Sequence, residues 1–325
     1  MIRIMPLRIG HLSTFYHTAI LLMSSPDFEE KLGSKVQWKL FGTGPAIVDA
    51  FEGGELDLAY IGLPPAIIGM ARGVPIKCIA GGHMEGTVIS GGIHDRAFPQ
   101  SRDLEDILKQ YKGKKIGVPG TGSIHDVILS NCLEQYGLRD SIEIINFRWA
   151  DMVTEAFVKG EIACAFGTPS LAVSIRHFAG GETIYPPYLL WPNNPSYGII
   201  TASSFLDGNP ALAERFLELH EEATVYIRKH TQDASRRISE FVGIVDEYFV
   251  MQTLALSPKY CAQLPGMYIQ ATMEFAETLR RLGYIDRDLD RSDVFDDSLI
   301  TRVHGPGDHY RNGINLCRIS PLVKL

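Results

Sequence analysis

A chain of 325 residues is too long for one simple core, and its length predicts two domains. Its composition, with 45% hydrophobic and 21% charged residues, is that of a soluble globular protein. The formal net charge of −7 argues against nucleic acid as the main partner, because a face that binds nucleic acid is basic. We therefore expect a protein that binds or converts small molecules.

The N-terminal residues Met1 to Pro6 lead directly into the first predicted strand. They contain no long apolar run and no small-residue cleavage site, so no secretory signal peptide is visible. No stretch of about 18 apolar residues predicts a transmembrane helix. We expect a periplasmic or other extracytoplasmic location if a leader has been removed, and a cytoplasmic location if the start at Met1 is genuine.

Strand and helix patterns alternate along the first part of the chain. Strands are predicted over residues 7–10, 36–41, 58–62, 76–80 and 87–90, and helices begin near Thr14, Gly44 and Leu63. Such alternation predicts parallel sheets with helices on both faces.

Two strand-to-helix turns in this part carry glycine and then proline at the start of a helix. They are Gly42-Thr43-Gly44-Pro45 and Gly62-Leu63-Pro64-Pro65. Proline suits the first helical turn, where its missing N–H is no loss, and glycine lets the backbone approach a ligand closely. Helix N-termini also present unpaired N–H groups and a partial positive charge. The turns therefore predict a small-molecule site that is built from backbone and suits an anion.

A second unit with the same alternation begins near Ser101. Its strands are predicted to end near Pro119, Phe147 and Gly167, and its helices to span residues 124–136 and 152–159, with Asp151 as a cap. The segment from Phe157 to Pro169 repeats the pattern of residues 51–64, which suggests two lobes of related design. From about Ser203 helical patterns dominate, and residues 304–325 have an irregular pattern.

The glycine-rich turn Gly120-Thr121-Gly122-Ser123 precedes the predicted helix 124–136. It lacks the lysine of a nucleotide-binding P-loop, so nucleotide hydrolysis is not indicated. The turn either contacts a ligand or serves only to cap the helix.

Four histidines lie near predicted strand ends: His11, His17, His83 and His125. Each is either a hydrogen-bonded structural residue or a ligand contact, and their spacing matches no standard metal motif. The cysteines lack CxxC spacing, so we expect no disulfide framework, no bound metal and no cofactor. We expect the first three to be buried free thiols; the five are Cys78, Cys132, Cys164, Cys261 and Cys317.

The segment from Tyr185 to Pro192 is aromatic and rich in proline. Its rings, including Trp191, could line a cleft and offer apolar contact with a polar handle. The alternative is a packed loop between lobes. The same two possibilities hold for Trp149.

Taken together and in order, these motifs resemble the periplasmic substrate-binding proteins of ABC importers, in the nitrate/sulfonate/taurine and thiamine-pyrimidine-precursor group. The resemblance spans roughly Leu7 to Val303. Its strongest marks are residues 53–65, residues 73–77, residues 112–123 and the helix start at Asp151-Met152.

The resemblance implies a two-lobed α/β fold of the type II periplasmic-binding-protein kind, with parallel-rich sheets and a ligand cleft that closes between the lobes. Residues 1–90 and 201–303 would form the first lobe, residues 91–200 the second, and residues 304–325 a tail. The ligand would be a small polar or anionic organic molecule such as a sulfonate, nitrate-like anion, carboxylate or pyrimidine precursor. We predict these ligand-binding residues: Ser13, Thr14, Tyr16, His17, Thr43, Gly44, Gly62, Leu63, Pro64, Thr121, Gly122, Ser123, His125, Asp151, Thr168 and Trp191.

The expected partners are the membrane permease and ATPase subunits of an importer, with no nucleic acid, no direct membrane insertion and a monomeric chain. No catalytic residue is predicted. A second hypothesis is a cytoplasmic enzyme resembling the fungal thiamine pyrimidine synthase, with His17 as its reactive group. The corresponding region, near residues 185–197, lacks that enzyme's cysteine motif. A third is a sensory domain that binds a metabolite without transport.

Overall fold

A computed structural model describes residues 6–307, 309–312 and 314 of the chain. The strands in these residues are β1 Leu7–Leu12, β2 Val36–Phe41, β3 Leu58–Ile61, β4 Ile76–Met84, β5 Val88–Gly91, β6 Lys115–Pro119, β7 Glu143–Phe147, β8 Cys164–Gly167, β9 Glu182–Tyr185, β10 Pro195–Ala202 and β11 Lys259–Tyr260.

The helices in the same residues are α1 Ala19–Ser24, α2 Phe28–Leu32, α3 Gly44–Glu52, α4 Leu63–Ala71, α5 Leu104–Lys109, α6 Ile124–Gln135, α7 Ala150–Val158, α8 Pro169–Ala179, α9 Pro187–Leu190, α10 Ser203–Gly208, α11 Pro210–Lys229, α12 Thr231–Val242, α13 Glu247–Leu256, α14 Gly266–Arg281, α15 Arg291–Val294, α16 Ser298–Val303 and α17 His309–Asn312. Within the described residues, none of these helices combines the length and apolarity that crossing a bilayer requires.

The strands form two sheets, and each has three parallel strands at one edge. The first has the order β11-β4-β10-β3-β1-β2 and the second the order β7-β6-β8-β5-β9. In each, the strand next to one edge pairs in parallel with both neighbours: β1 with β2 and β3, and β6 with β7 and β8. The predicted α/β class is confirmed. The sheets are mixed rather than parallel-rich, because β5 and β10 run antiparallel to the strands beside them.

The chain crosses between the sheets twice through short segments. The first crossing joins β4, which ends at Met84, to β5, which begins at Val88. The second joins β9, which ends at Tyr185, to β10, which begins at Pro195. Strand β5, which pairs with β8 in the second sheet, begins before the predicted boundary at residue 90. Strand β10, which pairs with β3 and β4 in the first sheet, begins before the predicted boundary at residue 200.

The C-terminal helices contact both halves of the molecule. Helix α12 packs against α1, whereas α13 packs against both α12 and α8. Residues 231–256 therefore bridge the two halves, although the prediction placed them with the first lobe alone. Part of the predicted irregular tail is ordered as α17, where Tyr310 is buried, and residues 315–325 lie outside the described residues.

Helices α3 and α4 pack closely against each other along their length. A Cβ on Gly44 would lie 2.6 Å from Cγ of Pro65, and a Cβ on Gly69 would lie 2.5 Å from Cγ1 of Val48. Real Cβ contacts are not this short, so glycine is required at both positions. The cysteine prediction is confirmed as well, because Cys78, Cys132, Cys164 and Cys261 are buried and unbridged.

Candidate functional site

The N-termini of five helices meet at a cleft between the two halves of the molecule. The cleft holds about 550 Å³ of empty space, including the part that opens to solvent. The cap residues of α3, α4, α6 and α8 line it, together with the first residue of α7. In chain order these are Thr43, Gly62, Ser123, Ala150 and Thr168.

Local sequence explains why these helices begin where they do. The hydroxyls of Thr43, Ser123 and Thr168 each accept a hydrogen bond from the backbone N–H of the residue three positions later in the chain. The oxygen–nitrogen distances are 3.5, 3.2 and 3.2 Å. Proline occupies the first turn of α3, α4 and α8, where no N–H bond is lost. Other N–H groups of these first turns remain available to a ligand.

The cleft is electrostatically suited to an anion although it holds no cationic side chain. Among the described residues that line it, none is Asp, Glu, Lys or Arg. Each helix N-terminus carries a partial positive charge of roughly half an elementary charge. Five such termini facing one cavity stabilise a negative group without a neutralising lysine or arginine.

Two buried polar atoms from the loop after β1 lack a partner. Within the described residues, neither Oγ1 of Thr14 nor Nδ1 of His17 has a hydrogen-bond partner. Both residues line the cleft. A buried polar group left unpaired costs about 1–3 kcal/mol, so both atoms are suited to bond a ligand in the cavity.

The histidines of the cleft are neutral. Burial, with smaller contributions from His83 and His11, holds the pKa of His17 well below its ordinary value of 6.5. Burial also lowers the pKa of His125 to about 3, and its Nδ1 lies 3.0 Å from Oγ1 of Thr87. A neutral imidazole can donate one hydrogen bond from one nitrogen and accept one at the other, so both rings can orient a ligand without adding charge.

An aromatic floor closes the cleft on the side of the first sheet. The ring centroids of His17 and Tyr197 lie 4.1 Å apart, and those of Tyr16 and His17 lie 4.7 Å apart. The hydroxyl of Tyr16 lies 3.2 Å from Oγ of Ser196, and burial raises the pKa of Tyr16 to about 12. Tyr16 is therefore a neutral hydrogen-bonding group.

The two walls of the cleft touch each other. A Cβ on Gly42 would lie 2.7 Å from the carbonyl oxygen of Arg148 and 3.0 Å from the ring of Trp149. A Cβ on Gly120, where φ is +74°, would lie 2.9 Å from Cγ2 of Thr43. The turns of the first sheet and those of the second are therefore in direct contact, and the two walls of the cleft are closed on each other.

The structure places ten of the sixteen predicted ligand residues on the cavity wall, listed here: Ser13, Thr14, Tyr16, His17, Thr43, Gly44, Gly62, Ser123, His125 and Thr168. Sequence reasoning missed Ser196, which β10 brings in from the distant second crossing. No local pattern at Ser196 marks it, because its place depends on antiparallel pairing with β4.

Three predicted residues near the turns lie elsewhere. Leu63 and Pro64 are buried in the first turn of α4, and Pro65 lines the cavity instead. Thr121 is exposed to solvent.

Gly122 is also off the cavity wall. Its N–H donates to Oδ2 of Asp126, with a nitrogen–oxygen distance of 2.7 Å, and is therefore already used. The turn from residue 120 to 123 caps its helix, and only Ser123 reaches the cavity.

Asp151 and Trp191 are also placed differently from the prediction. Trp149, not Asp151, is the cap residue of α7, and Asp151 lies exposed in the first turn. Trp191 stacks on Phe275 with ring centroids 4.3 Å apart, so the packed-loop alternative describes it. Its ring is occupied by that contact because α14 lies beside the loop.

A second, outer pocket adjoins the cleft. Ser13 and Ala150 border both cavities, and the outer one holds about 700 Å³ of empty space, including open solvent. Its wall includes the apolar groups of Phe15, Trp149 and Leu171, together with the carboxylate of Asp151. The inner cleft is thus suited to a charged head and the outer pocket to an organic group attached to it.

Comparison with known proteins gives a family and a fold. Residues 4–243 match the sequence model of the NMT1-like family. A Bacillus subtilis (strain 168) protein named as an aliphatic sulfonates-binding protein is 27% identical over 278 residues, which are 85% of this chain and 80% of the relative.

Two solved structures have the same fold. One is the periplasmic aliphatic sulphonate binding protein SsuA from Escherichia coli, with a TM-score of 0.74 and 18% identity, covering 90% of this chain and 92% of that one. The other is the periplasmic nitrate-binding protein NrtA from Synechocystis PCC 6803, with a TM-score of 0.73 and 14% identity, covering 93% and 88%. The predicted two-lobed binding-protein fold is confirmed by this likeness.

Proposed function

The chain belongs to the NMT1-like family, and on that premise we propose that it is the extracytoplasmic solute-binding component of an ABC importer for a small organic anion. The observation that carries the proposal is the meeting of five helix N-termini with the unpaired Thr14 and His17 atoms in one closed cleft. The relative and one solved structure are named for aliphatic sulfonates and the other structure for nitrate, and these names support an anionic ligand.

The cleft favours a ligand with one negative charge. No cationic side chain stands among its described lining residues, so a second negative charge would be poorly compensated. A sulfonate carries one charge spread over three oxygens. Its oxygens can each meet a different donor, such as the Thr14 hydroxyl, the Ser123 hydroxyl and a first-turn N–H group.

The outer pocket favours an organic anion over a bare inorganic one. Nitrate would fill only the inner cleft, whereas an alkyl group would extend past Ser13 and Ala150 toward Phe15 and Trp149. Burial of apolar surface there adds roughly 25 cal/mol per Å² of area removed from water. We therefore place aliphatic sulfonates first among the anions.

The enzyme hypothesis has less support from the cleft. An acid–base or covalent mechanism at His17 needs a reactive partner beside it. The described lining residues include no carboxylate, thiol or amine. In addition, His17 packs against the ring of Tyr197 and is held neutral by burial. The arrangement suits binding better than turnover.

Calorimetric titration tests the proposal with a matched ligand set. Protein refolded free of ligand is titrated with ethanesulfonate, nitrate and the uncharged isostere ethyl methyl sulfone. We expect ethanesulfonate to bind, the sulfone to bind at least tenfold more weakly, and nitrate to fall between them. If no anion binds, or if the uncharged sulfone binds as well as the sulfonate, the proposal is wrong.

A variant identifies the site. Thr14→Val keeps the shape of the side chain and removes its hydroxyl, so sulfonate affinity should fall about tenfold, the equivalent of about 1.4 kcal/mol. Thr183→Val, on β9 and outside the cleft, should bind like the wild type. Uptake of labelled sulfonate by source cells lacking this chain tests the importer role separately.

A further inference from the structure

Three ligand-type side chains converge at a place that the cleft does not use. They are Cys261, just after β11, His304, just after α16, and His309, at the start of α17. Their ligand atoms all lie within 4.8 Å of one another. Cys261 and His304 are buried and His309 is half-buried.

The separations of these atoms fit one tetrahedral metal ion. Sγ of Cys261 lies 3.0 Å from Nε2 of His304 and 3.6 Å from Nδ1 of His309, and the two nitrogens lie 3.1 Å apart. Ligand atoms about 2.0–2.3 Å from a tetrahedral zinc ion lie about 3.3–3.6 Å from each other. A small shift of the side chains therefore satisfies all three bonds at once.

A carboxylate lies beside the three ligands and reaches the fourth position when its side chain rotates toward the ion. Oε1 of Glu221, on α11, lies 3.7 Å from Nε2 of His304, and the Glu221 side chain is mostly buried. Its other oxygen accepts a hydrogen bond from the hydroxyl of Thr224 at 2.9 Å, which orients the carboxylate. Such an oriented carboxylate is typical of metal sites.

Hydrogen bonds alone do not account for the cluster. Nε2 of His304 faces both the thiol of Cys261 and Nδ1 of His309, and a neutral imidazole nitrogen carries at most one proton for these two contacts. The guanidinium of Arg228 lies 3.2 Å from Nδ1 of His309 and 3.9 Å from Oε1 of Glu221. In the metal-bound state Nη2 of Arg228 must turn from the imidazole, while Nη1 keeps its hydrogen bond to the carbonyl oxygen of Tyr260 at 2.8 Å.

We propose that Cys261, His304, His309 and Glu221 bind one zinc ion that fastens the C-terminal segment to the first sheet. One thiolate and two imidazoles are the donor set that zinc prefers, and with a carboxylate they close its tetrahedral shell. The four residues come from α11, the end of β11 and the segment around α17. The site is structural, and none of its residues lines the ligand cleft.

Metal titration of chelator-treated protein tests the site directly. We expect one Zn²⁺ per chain, and we expect Co²⁺ in its place to show the intense visible bands of a tetrahedral site and a thiolate charge-transfer band. Cys261→Ser should abolish the charge-transfer band. His309→Ala removes one ligand at a half-buried position and should weaken zinc binding at least tenfold.

Matched variants separate this site from other thiols and imidazoles. Cys132→Ser removes another buried cysteine, and His230→Gln removes an exposed histidine, so both should bind zinc like the wild type. Zinc should also raise the melting temperature of wild type and not of His309→Ala. Absence of stoichiometric zinc binding, or a Co²⁺ spectrum unchanged in Cys261→Ser, would overturn the proposal. Sulfonate titration of His309→Ala should match the wild type whichever way the zinc result falls.

Discussion

The carboxylate of Glu85 and the ammonium of Lys259 form an ion pair, with 2.7 Å between Oε1 and Nζ, where the chain crosses from the first sheet to the second. Oε1 of Glu85 also accepts a hydrogen bond from the N–H of Asn193, in the other crossing, at 3.0 Å. Both Glu85 and Asn193 have left-handed backbone conformations, with φ of 60° and 61°. One buried carboxylate thus joins both crossings to β11.

Glu85→Gln should destabilise the protein through the loss of this charge. Glutamine keeps an oxygen for the Asn193 N–H but leaves Lys259 without its anion. Because Lys259 is partly exposed, we expect the free energy of unfolding to fall by about 1–3 kcal/mol, less than for a fully buried pair. Urea unfolding measures the loss. Glu55→Gln breaks a more exposed ion pair with Lys39 and should cost under about 0.5 kcal/mol. Equal losses would contradict the claim that the Glu85 carboxylate stabilises the two crossings.

Gly42→Ala should prevent full closure of the cleft. The added methyl group would collide with the carbonyl oxygen of Arg148 and the ring of Trp149 on the opposite wall. We expect ligand affinity to fall at least tenfold, with a larger radius of gyration by X-ray scattering in the presence of ligand. Gly208→Ala adds the same methyl group in open space and serves as the control. Wild-type affinity in Gly42→Ala would show that closure at this contact is not needed.

The buried histidines should make the protein less stable in mild acid. Burial lowers the pKa of His83 and His125 to about 3 and that of His220 to about 4, against 6.5 for an exposed histidine. Between these values the unfolded chain binds more protons than the folded one. The free energy of unfolding therefore falls as the pH drops below about 6.5, by up to about 1.4 kcal/mol per pH unit for each histidine.

His125→Gln isolates one of these contributions. Whatever its stability at pH 7, its unfolding free energy should depend less steeply on pH between 6 and 4 than that of the wild type, by up to about 1.4 kcal/mol per pH unit. His230→Gln, at an exposed position, should keep the wild-type slope. Denaturant melts over this pH range give both slopes, and an unchanged slope in His125→Gln would show that His125 is not held neutral by folding.

Sequence patterns predicted the features of the fold that depend on neighbouring residues. Thr43, Ser123 and Thr168 each precede a helix-forming run, and glycine and proline mark the turns beside them. The hydrogen bond of a helix N-cap joins residues three or four positions apart, so the helix start can be predicted from the local sequence. The predicted family followed from the order of these turns along the chain.

Long-range contacts could not be predicted in the same way. Ser196 lies at the cleft because of the pairing of β10. Trp191 does not line the cleft, because its ring stacks on Phe275, which is 84 residues later in the chain. The cluster of Cys261, His304 and His309 spans 48 residues and matches no metal spacing, because three separate elements supply its ligands. Such groupings are set by tertiary packing rather than by local pattern.

The central claim is that an organic anion binds with its charged head among the helix N-termini, and a crystal structure with ethanesulfonate tests it most directly. Anomalous scattering locates the sulfur atom independently of the protein density. We predict one sulfur position in the inner cleft, with sulfonate oxygens within hydrogen-bond distance of Oγ1 of Thr14, Nδ1 of His17 and the first-turn N–H groups, and with the ethyl group directed toward Phe15. A sulfur position in the outer pocket beside Asp151, or none in the cleft at saturating sulfonate, would contradict the account.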